Sequence, residues 1–157
     1  MRQSPRHFLC SPFGSAGDVH PMLGVALALR NRGHEVTLIV NGYFQELVQR
    51  FGLGFVELGT RDEFLASAGN PDLWNPLKAF RHIYESLVGP ALRKQYDALA
   101  ERFEPGKTVA ITNCFGFGAL VAQDKLKLPV ISFHIQPAVV WSDVEPPVMP
   151  GTFGPRW

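Results

Sequence analysis

Short apolar runs take turns along the chain with stretches that carry an apolar residue every third or fourth position, the pattern of strands alternating with helices. The runs predict strands at 7–11, 35–40, 54–58, 108–112 and 130–134. The helical spacing predicts helices at 21–32, 43–51 and 117–126, with a paired segment over 75–103 that Gly89-Pro90 splits. Such alternation predicts an α/β fold: a doubly wound, Rossmann-like parallel sheet with the usual strand order 3-2-1-4-5. Punctuation agrees with this division. Gly33 follows Arg30 and Arg32 as a helix stop, which makes His34 a structural residue before the second strand, and Pro129 closes the last helix.

Two segments depart from the alternation. Within 73–103, Trp74, Leu77, Phe80, Ile83, Tyr84, Leu87 and Val88 recur at helical spacing and give a broad apolar face; they either pack a core or wall a large apolar cleft. After the fifth strand the pattern dissolves into Gln136-Pro137, then Val139-Val140-Trp141, then a proline-rich run to Trp157 that forbids most regular structure.

The junction of the first strand and first helix holds the densest chemistry: Phe13-Gly14-Ser15-Ala16-Gly17-Asp18-Val19-His20-Pro21. Gly14 and Gly17 permit a sharp turn and close approach of a ligand, and Pro21 suits a first helical turn. Free amides at the helix N-terminus favour an anion such as phosphate. The glycine spacing is wrong for a dinucleotide fingerprint, and no Lys-Ser or Lys-Thr closes a phosphate-cradling P-loop. What remains is a glycine turn bearing one carboxylate and one imidazole at the mouth of a parallel sheet.

Composition narrows the function classes. At 157 residues, with 46% hydrophobic and 18% charged residues, the chain reads as one globular domain. Fifteen basic residues face fourteen acidic ones for a net charge of +1, without a basic block, so nucleic acid is not an expected partner. Cys10 and Cys114 form neither a metal spacing nor a disulfide framework and read as reduced thiols of a cytoplasmic protein. No signal peptide or membrane span is evident, so any membrane contact is expected to be peripheral.

Gly14-Ser15-Ala16-Gly17-Asp18-Val19-His20-Pro21, followed by the helix to Arg32 and Gly33-His34-Glu35-Val36-Thr37, resembles the N-terminal domain of GT-B glycosyltransferases of the family 28 and family 1 type. The likeness is nearest to the branch holding sterol glucosyltransferases and the rhamnosyltransferases that make rhamnolipids. Asn70-Pro71-Asp72-Leu73-Trp74-Asn75-Pro76 and Pro146-Pro147-Val148-Met149-Pro150 carry it further. The resemblance implies that residues 1–157 are a partial N-terminal, acceptor-binding domain, and that a C-terminal nucleotide-sugar domain, or a partner chain in its place, is needed for activity. It also implies inverting, metal-independent transfer of a hexose from a UDP- or TDP-linked donor, with no other cofactor, to a hydroxyl of an apolar acceptor, as in lipid glycosylation.

The resemblance also assigns roles. Asp18 matches the family's proposed base; on its residues alone it could equally be a helix N-cap. His20 is a reserve base, since histidine titrates near neutral pH, or a cap before Pro21. Gly14, Ser15 and Gly17 lie where the donor diphosphate would sit. Phe13, Trp74, Asn113, Phe115, Phe117, His134, Gln136 and Trp141 are the candidate acceptor-binding residues, and no metal ligands are expected. Plant members pair their catalytic histidine with an aspartate where this chain has Asn113, so a charged dyad is not expected here. Asn113 is left to bond the acceptor or to close its turn. Two other classes stay open: a non-catalytic acceptor-binding subunit or truncated remnant that needs a separate donor-binding chain, and a flavodoxin-like nucleotide binder.

Overall fold

A computed structural model describes residues 4–75, 78–136 and 144. Five parallel strands form one sheet in the order β3-β2-β1-β4-β5: β1 His7–Ser11, β2 Glu35–Val40, β3 Gly54–Glu57, β4 Thr108–Thr112 and β5 Val130–Ser132. The helices are α1 Ala16–Asn31, α2 Gln45–Arg50, α3 Arg61–Ala68, α4 Ala79–Ile83, α5 Gly89–Ala100 and α6 Phe117–Leu126. Strand β1 is central, pairing with β2 through His7–Glu35 to Cys10–Leu38 and with β4 through His7–Thr108 to Ser11–Thr112. Strand order and the position of every predicted strand follow the hydrophobic pattern, although β3 and β5 end one and two residues early.

The period-2 alternation of the strands sorts their side chains onto two faces. Phe8 and Cys10 of β1, Val36, Leu38 and Val40 of β2, and Val109 and Ile111 of β4 pack under Val19, Met22, Leu23 and Ala26 of α1, together with Val48 of α2. Leu9, Ile39 and Ala110 point the other way, against Leu99 of α5 and Ala119 and Ala122 of α6. Burying each large aliphatic chain contributes roughly 1.5–3 kcal/mol, so the sheet is held from both sides. Helix stops behave as read: Gly33 takes φ +88° after the end of α1, and its amide donates to the Arg30 carbonyl at 2.9 Å. The His34 ring meets Phe8 edge-on at 5.1 Å.

The helix expected at 43–51 opens as a 3₁₀ turn, Gly42–Phe44, before α2, and three further elements differ from the sequence expectation. Helix α1 begins at Ala16 rather than Pro21, because Ser15 and Asp18 form a capping box one turn earlier. Pro21 therefore lies inside the helix, where it forfeits the bond its amide would have made to Gly17. Helix α3 has no counterpart among the predicted helices, yet Thr60 and Glu63 make a second capping box, with Thr60 N–H donating to Glu63 Oε2 at 2.7 Å. The segment expected as helix from residue 75 is preceded by a 3₁₀ turn, Pro71–Trp74, capped by Asn70, and α4 begins only at Ala79.

Between α4 and α5 the chain widens into one π-helical turn, Tyr84–Val88. Pro90 explains it. In an α-helix its ring would collide with the Ser86 carbonyl and offer it no amide. Widening the turn removes the collision, and the Gly89 amide reaches back to the Tyr84 carbonyl instead. The expected split at Gly89-Pro90 is thus a change of pitch within a continuous helical run.

Candidate active site

The C-terminal ends of β1 and β4 lie side by side, so the loops that leave them meet. After β1, Gly14 adopts φ +134°, a conformation that favours glycine, and a Cβ there would overlap the Asp18 carboxylate. Ser15 then caps α1, its Oγ accepting from Gly17 N–H at 3.3 Å. Asp18 answers from the third helical position, Oδ2 accepting from Ser15 N–H at 2.9 Å. The alternative of Asp18 as N-cap is therefore corrected: Ser15 is the cap, and Asp18 is the reciprocal partner of a capping box.

From the other loop comes Asn113, buried to 8% exposure. Its Nδ2 donates to the Phe13 carbonyl at 2.6 Å and to Asp18 Oδ1 at 3.1 Å, while its Oδ1 accepts from Phe13 N–H at 3.2 Å. Both halves of the amide are engaged within the protein. Cys114, next in sequence and half-buried, has its thiol pushed above the ordinary range, first by burial and then by the Asp18 charge. A carboxylate with both oxygens held by donors thus sits half-buried at the carboxyl edge of the sheet, the edge where ligands of open α/β sheets bind.

Among the described residues, two cavities open around this edge. One, of about 140 Å³, is lined by Phe13 and Gly14, by Asn41, Leu58 and Phe64, and by Ser86, Leu87 and Lys94 across from them. The other, of about 220 Å³, is lined by Phe80, Ile83, Tyr84, Val88, Phe115 and Phe117. The π turn divides them: Ser86 and Leu87 face the first, Tyr84 and Val88 the second. At the rim of the first, Glu63 and Lys94 approach to 3.9 Å. The Glu63 carboxyl is held below its ordinary range by the Thr60 backbone amide and then by Lys94.

The predicted site residues divide accordingly. Phe13, Gly14, Ser15, Gly17, Asp18 and Asn113 form one hydrogen-bonded or abutting group, and Phe115 and Phe117 reach the apolar cavity. His20 does not join them. It is exposed on α1, two residues and therefore about 200° around the axis from Asp18, and its alternative role as a cap is taken by Ser15. Trp74 is 81% exposed and lines neither cavity. His134 and Gln136 are exposed and likewise line neither, and Trp141 lies outside the described residues. The amides of Ser15 and Gly17 already donate to Asp18 and Ser15, so a diphosphate there would have to share them.

Sequence reasoning missed Gln95 and His82. Gln95 is 1% exposed, its Nε2 donating to Ser11 Oγ at 2.7 Å and its Oε1 accepting from Ala119 N–H at 3.3 Å. It ties β1, α5 and α6 together beneath the site; a lone polar residue on an apolar helical face was the available signal. His82 joins Ser67 of α3, at 3.1 Å, to Asn70 and Ser86; the Ser86 contact follows from i,i+4 helical spacing, but Ser67 and Asn70 lie on other elements and could not be read from the sequence. Among the described residues, no three His, Cys, Asp or Glu side chains converge as metal ligands, and no helix is long and apolar enough to cross a membrane.

Comparison with known proteins gives these features a context. Residues 8–134 match the model of the glycosyltransferase family 28 N-terminal domain. An uncharacterized glycosyltransferase of Methanosarcina acetivorans is 31% identical over 123 residues, covering 78% of this chain and 30% of that protein. A sterol 3-beta-glucosyltransferase of Arabidopsis thaliana is 26% identical over 134 residues, covering 79% and 21%. Among solved structures, the Streptomyces sp. SF2575 glycosyltransferase SsfS6, complexed with thymidine diphosphate, superposes with a TM-score of 0.60 at 26% identity over 83% of this chain and 38% of that one. The chain thus spans between 21% and 38% of the length of these relatives. With its central turn, its sheet order and most of its length inside the matched region, the chain belongs to the glycosyltransferase family 28 N-terminal domain family and has the Rossmann-like architecture of a GT-B half.

Proposed function

We propose that this chain is the acceptor-binding half of a GT-B glycosyltransferase that transfers a hexose from a UDP- or TDP-linked donor to a hydroxyl of an apolar acceptor, inverting the anomeric centre without a metal ion or other cofactor. The observation that carries the proposal is the Asp18 carboxylate, fixed at the carboxyl edge of the sheet by Ser15 and by Asn113, whose own loop continues to Phe115 and Phe117 of an apolar cavity. Asp18 accepts the acceptor's hydroxyl proton as the oxygen bonds to the anomeric carbon and the bond from that carbon to the diphosphate breaks, its electron pair leaving on the phosphate. The N-terminus of α1 around Gly14, Ser15 and Gly17 lies near the departing charge, where a helix dipole is favourable. Phe115 and Phe117, with the aromatic face of 80–88, hold the acceptor's apolar body. The nucleotide is gripped mainly by a second domain or partner chain, a reading supported by the TDP bound to SsfS6 and the partial coverage of the relatives. A cytoplasmic setting fits this chemistry.

The test is a titration of the purified chain with apolar hydroxyl acceptors, UDP and TDP, followed by transfer assays with a donor-binding half supplied. Acceptors should bind while nucleotides bind weakly, and Asp18→Asn should keep acceptor binding while transfer drops roughly 10²–10⁴-fold. Tight nucleotide binding without an acceptor response sinks the assignment in favour of a nucleotide-binding domain. Acceptor binding with no transfer in the reconstituted pair leaves a non-catalytic binding subunit.

A further inference from the structure

We propose that Asn113 is a positioning residue for Asp18: a neutral side chain that aims the carboxylate without lending it charge. The inference deepens the reading of Asp18 as the base and rests on it. Asn113 is clamped at two points by the backbone of one residue, since its Oδ1 takes the Phe13 N–H at 3.2 Å and its Nδ2 gives to the Phe13 carbonyl at 2.6 Å. A backbone donor and a backbone acceptor cannot exchange roles, so the clamp dictates which end of the amide is which. The second Nδ2 proton is thereby left pointing at Asp18 Oδ1, at 3.1 Å.

On its other side Asp18 Oδ2 receives the Ser15 N–H at 2.9 Å, and the Ser15 hydroxyl lies 3.5 Å away. Each carboxylate oxygen accepts about two bonds; Oδ2 has both of its donors from Ser15, so Oδ1, with Asn113 alone, keeps capacity for an incoming hydroxyl while rotation of the group is blocked. The Cys114 thiol feels the Asp18 charge, and burial first and that carboxylate second push its pKa up; His20, two residues on in α1, projects from the far side of the helix. An aspartate in place of Asn113 would set two carboxylates about 3 Å apart and force them to share a proton. The two-point clamp on Phe13 also links the base to the cavity, because Phe13 lines the first of the two pockets.

The experiment has two arms. In the 157-residue chain, the side-chain amide NMR signal of Asn113 is followed through an acid titration in wild type and in Asp18→Asn. A single acidic step present in the wild type and missing in the variant supports the contact, and a signal that does not respond to acid overturns it. In the transfer assay with a donor-binding half supplied, Asn113→Asp should move the acid limb of the kcat/KM profile to higher pH, and Asn113→Ala should lower kcat by up to about 10²-fold with the acceptor KM little changed. An unshifted profile in Asn113→Asp, or equal losses from poorer acceptor binding alone, overturns the positioning role. Should no transfer be seen even with wild type while the NMR step is present, the orienting contact stands and it is the reading of Asp18 as a base that fails.

Discussion

Gly14 carries a demand that no other residue type can meet. Its φ of +134° is strained for any side chain, and a Cβ would strike the carboxylate it makes room for. Gly14→Ala is expected to cost about 1–3 kcal/mol of stability, measured by urea unfolding, and to displace Asp18 so that transfer falls more than acceptor binding does. Equal loss of both would mean that the substitution merely unfolds the loop. Residue identities were legible here: the glycines, the carboxylate and the family likeness all lie within one octapeptide. The roles were less so. Only the structure reveals that Ser15 caps the helix, that Asp18 reciprocates, and that His20 is turned away by helical pitch.

At the scale of elements, the helical run over 79–100 is the part most shaped by local conflict. Pro90 cannot continue an α-helix on the Ser86 carbonyl, and the π turn that results sends Tyr84 and Val88 to one cavity and Ser86 and Leu87 to the other. Pro90→Ala should let the turn relax to α pitch and rotate residues 84–88 relative to α5. Acceptor affinity is expected to weaken several-fold while the melting temperature holds or rises, since a helix-breaking residue has been removed; unchanged affinity would show that the apolar cavity does not hold the acceptor. Gln95 is the opposite case, a stabilising polar bridge. Gln95→Ala leaves Ser11 and Ala119 without their partner and should destabilise the chain by about 1–3 kcal/mol, and the same loss should be absent from the exposed Gln123→Ala control.

For the molecule as a whole, the core on the α1 side of the sheet contains a thiol. Cys10 is fully buried between β1 and α1, and burial lifts its thiol from the ordinary 9.0 to about 12. The unfolded chain therefore releases this proton at lower pH than the folded one. The stabilising contribution is intact below pH 9 and falls as pH rises from about 9 to about 12, by of the order of 4 kcal/mol. Cys10→Ala, or Cys10→Val if the smaller residue leaves too large a cavity, should remove that part of the alkaline loss, as monitored by unfolding at about pH 8 and about pH 11. An identical alkaline slope in both proteins would assign the loss to other groups.

The sequence by itself determined the class of the fold, because the period of the apolar pattern dictates strand or helix and their alternation leaves few topologies. It also located the candidate turn, since glycine, proline and a carboxylate in close order carry their meaning locally. Capping boxes at Ser15 and Thr60 were equally local, but proline at position 21 pointed to a later start for α1 and α3 was not predicted at all. Only the tertiary structure decided what meets what. Asn113 reaches Asp18 across ninety-five residues because β1 and β4 are neighbours in the sheet, Gln95 reaches Ser11 across eighty-four, and Phe115 joins Phe80 and Tyr84 around one cavity while Trp74, part of the same apolar pattern, stands in solvent. Helical spacing gives a side chain's direction about its own axis; whether anything lies in that direction is set by packing between elements far apart in the chain.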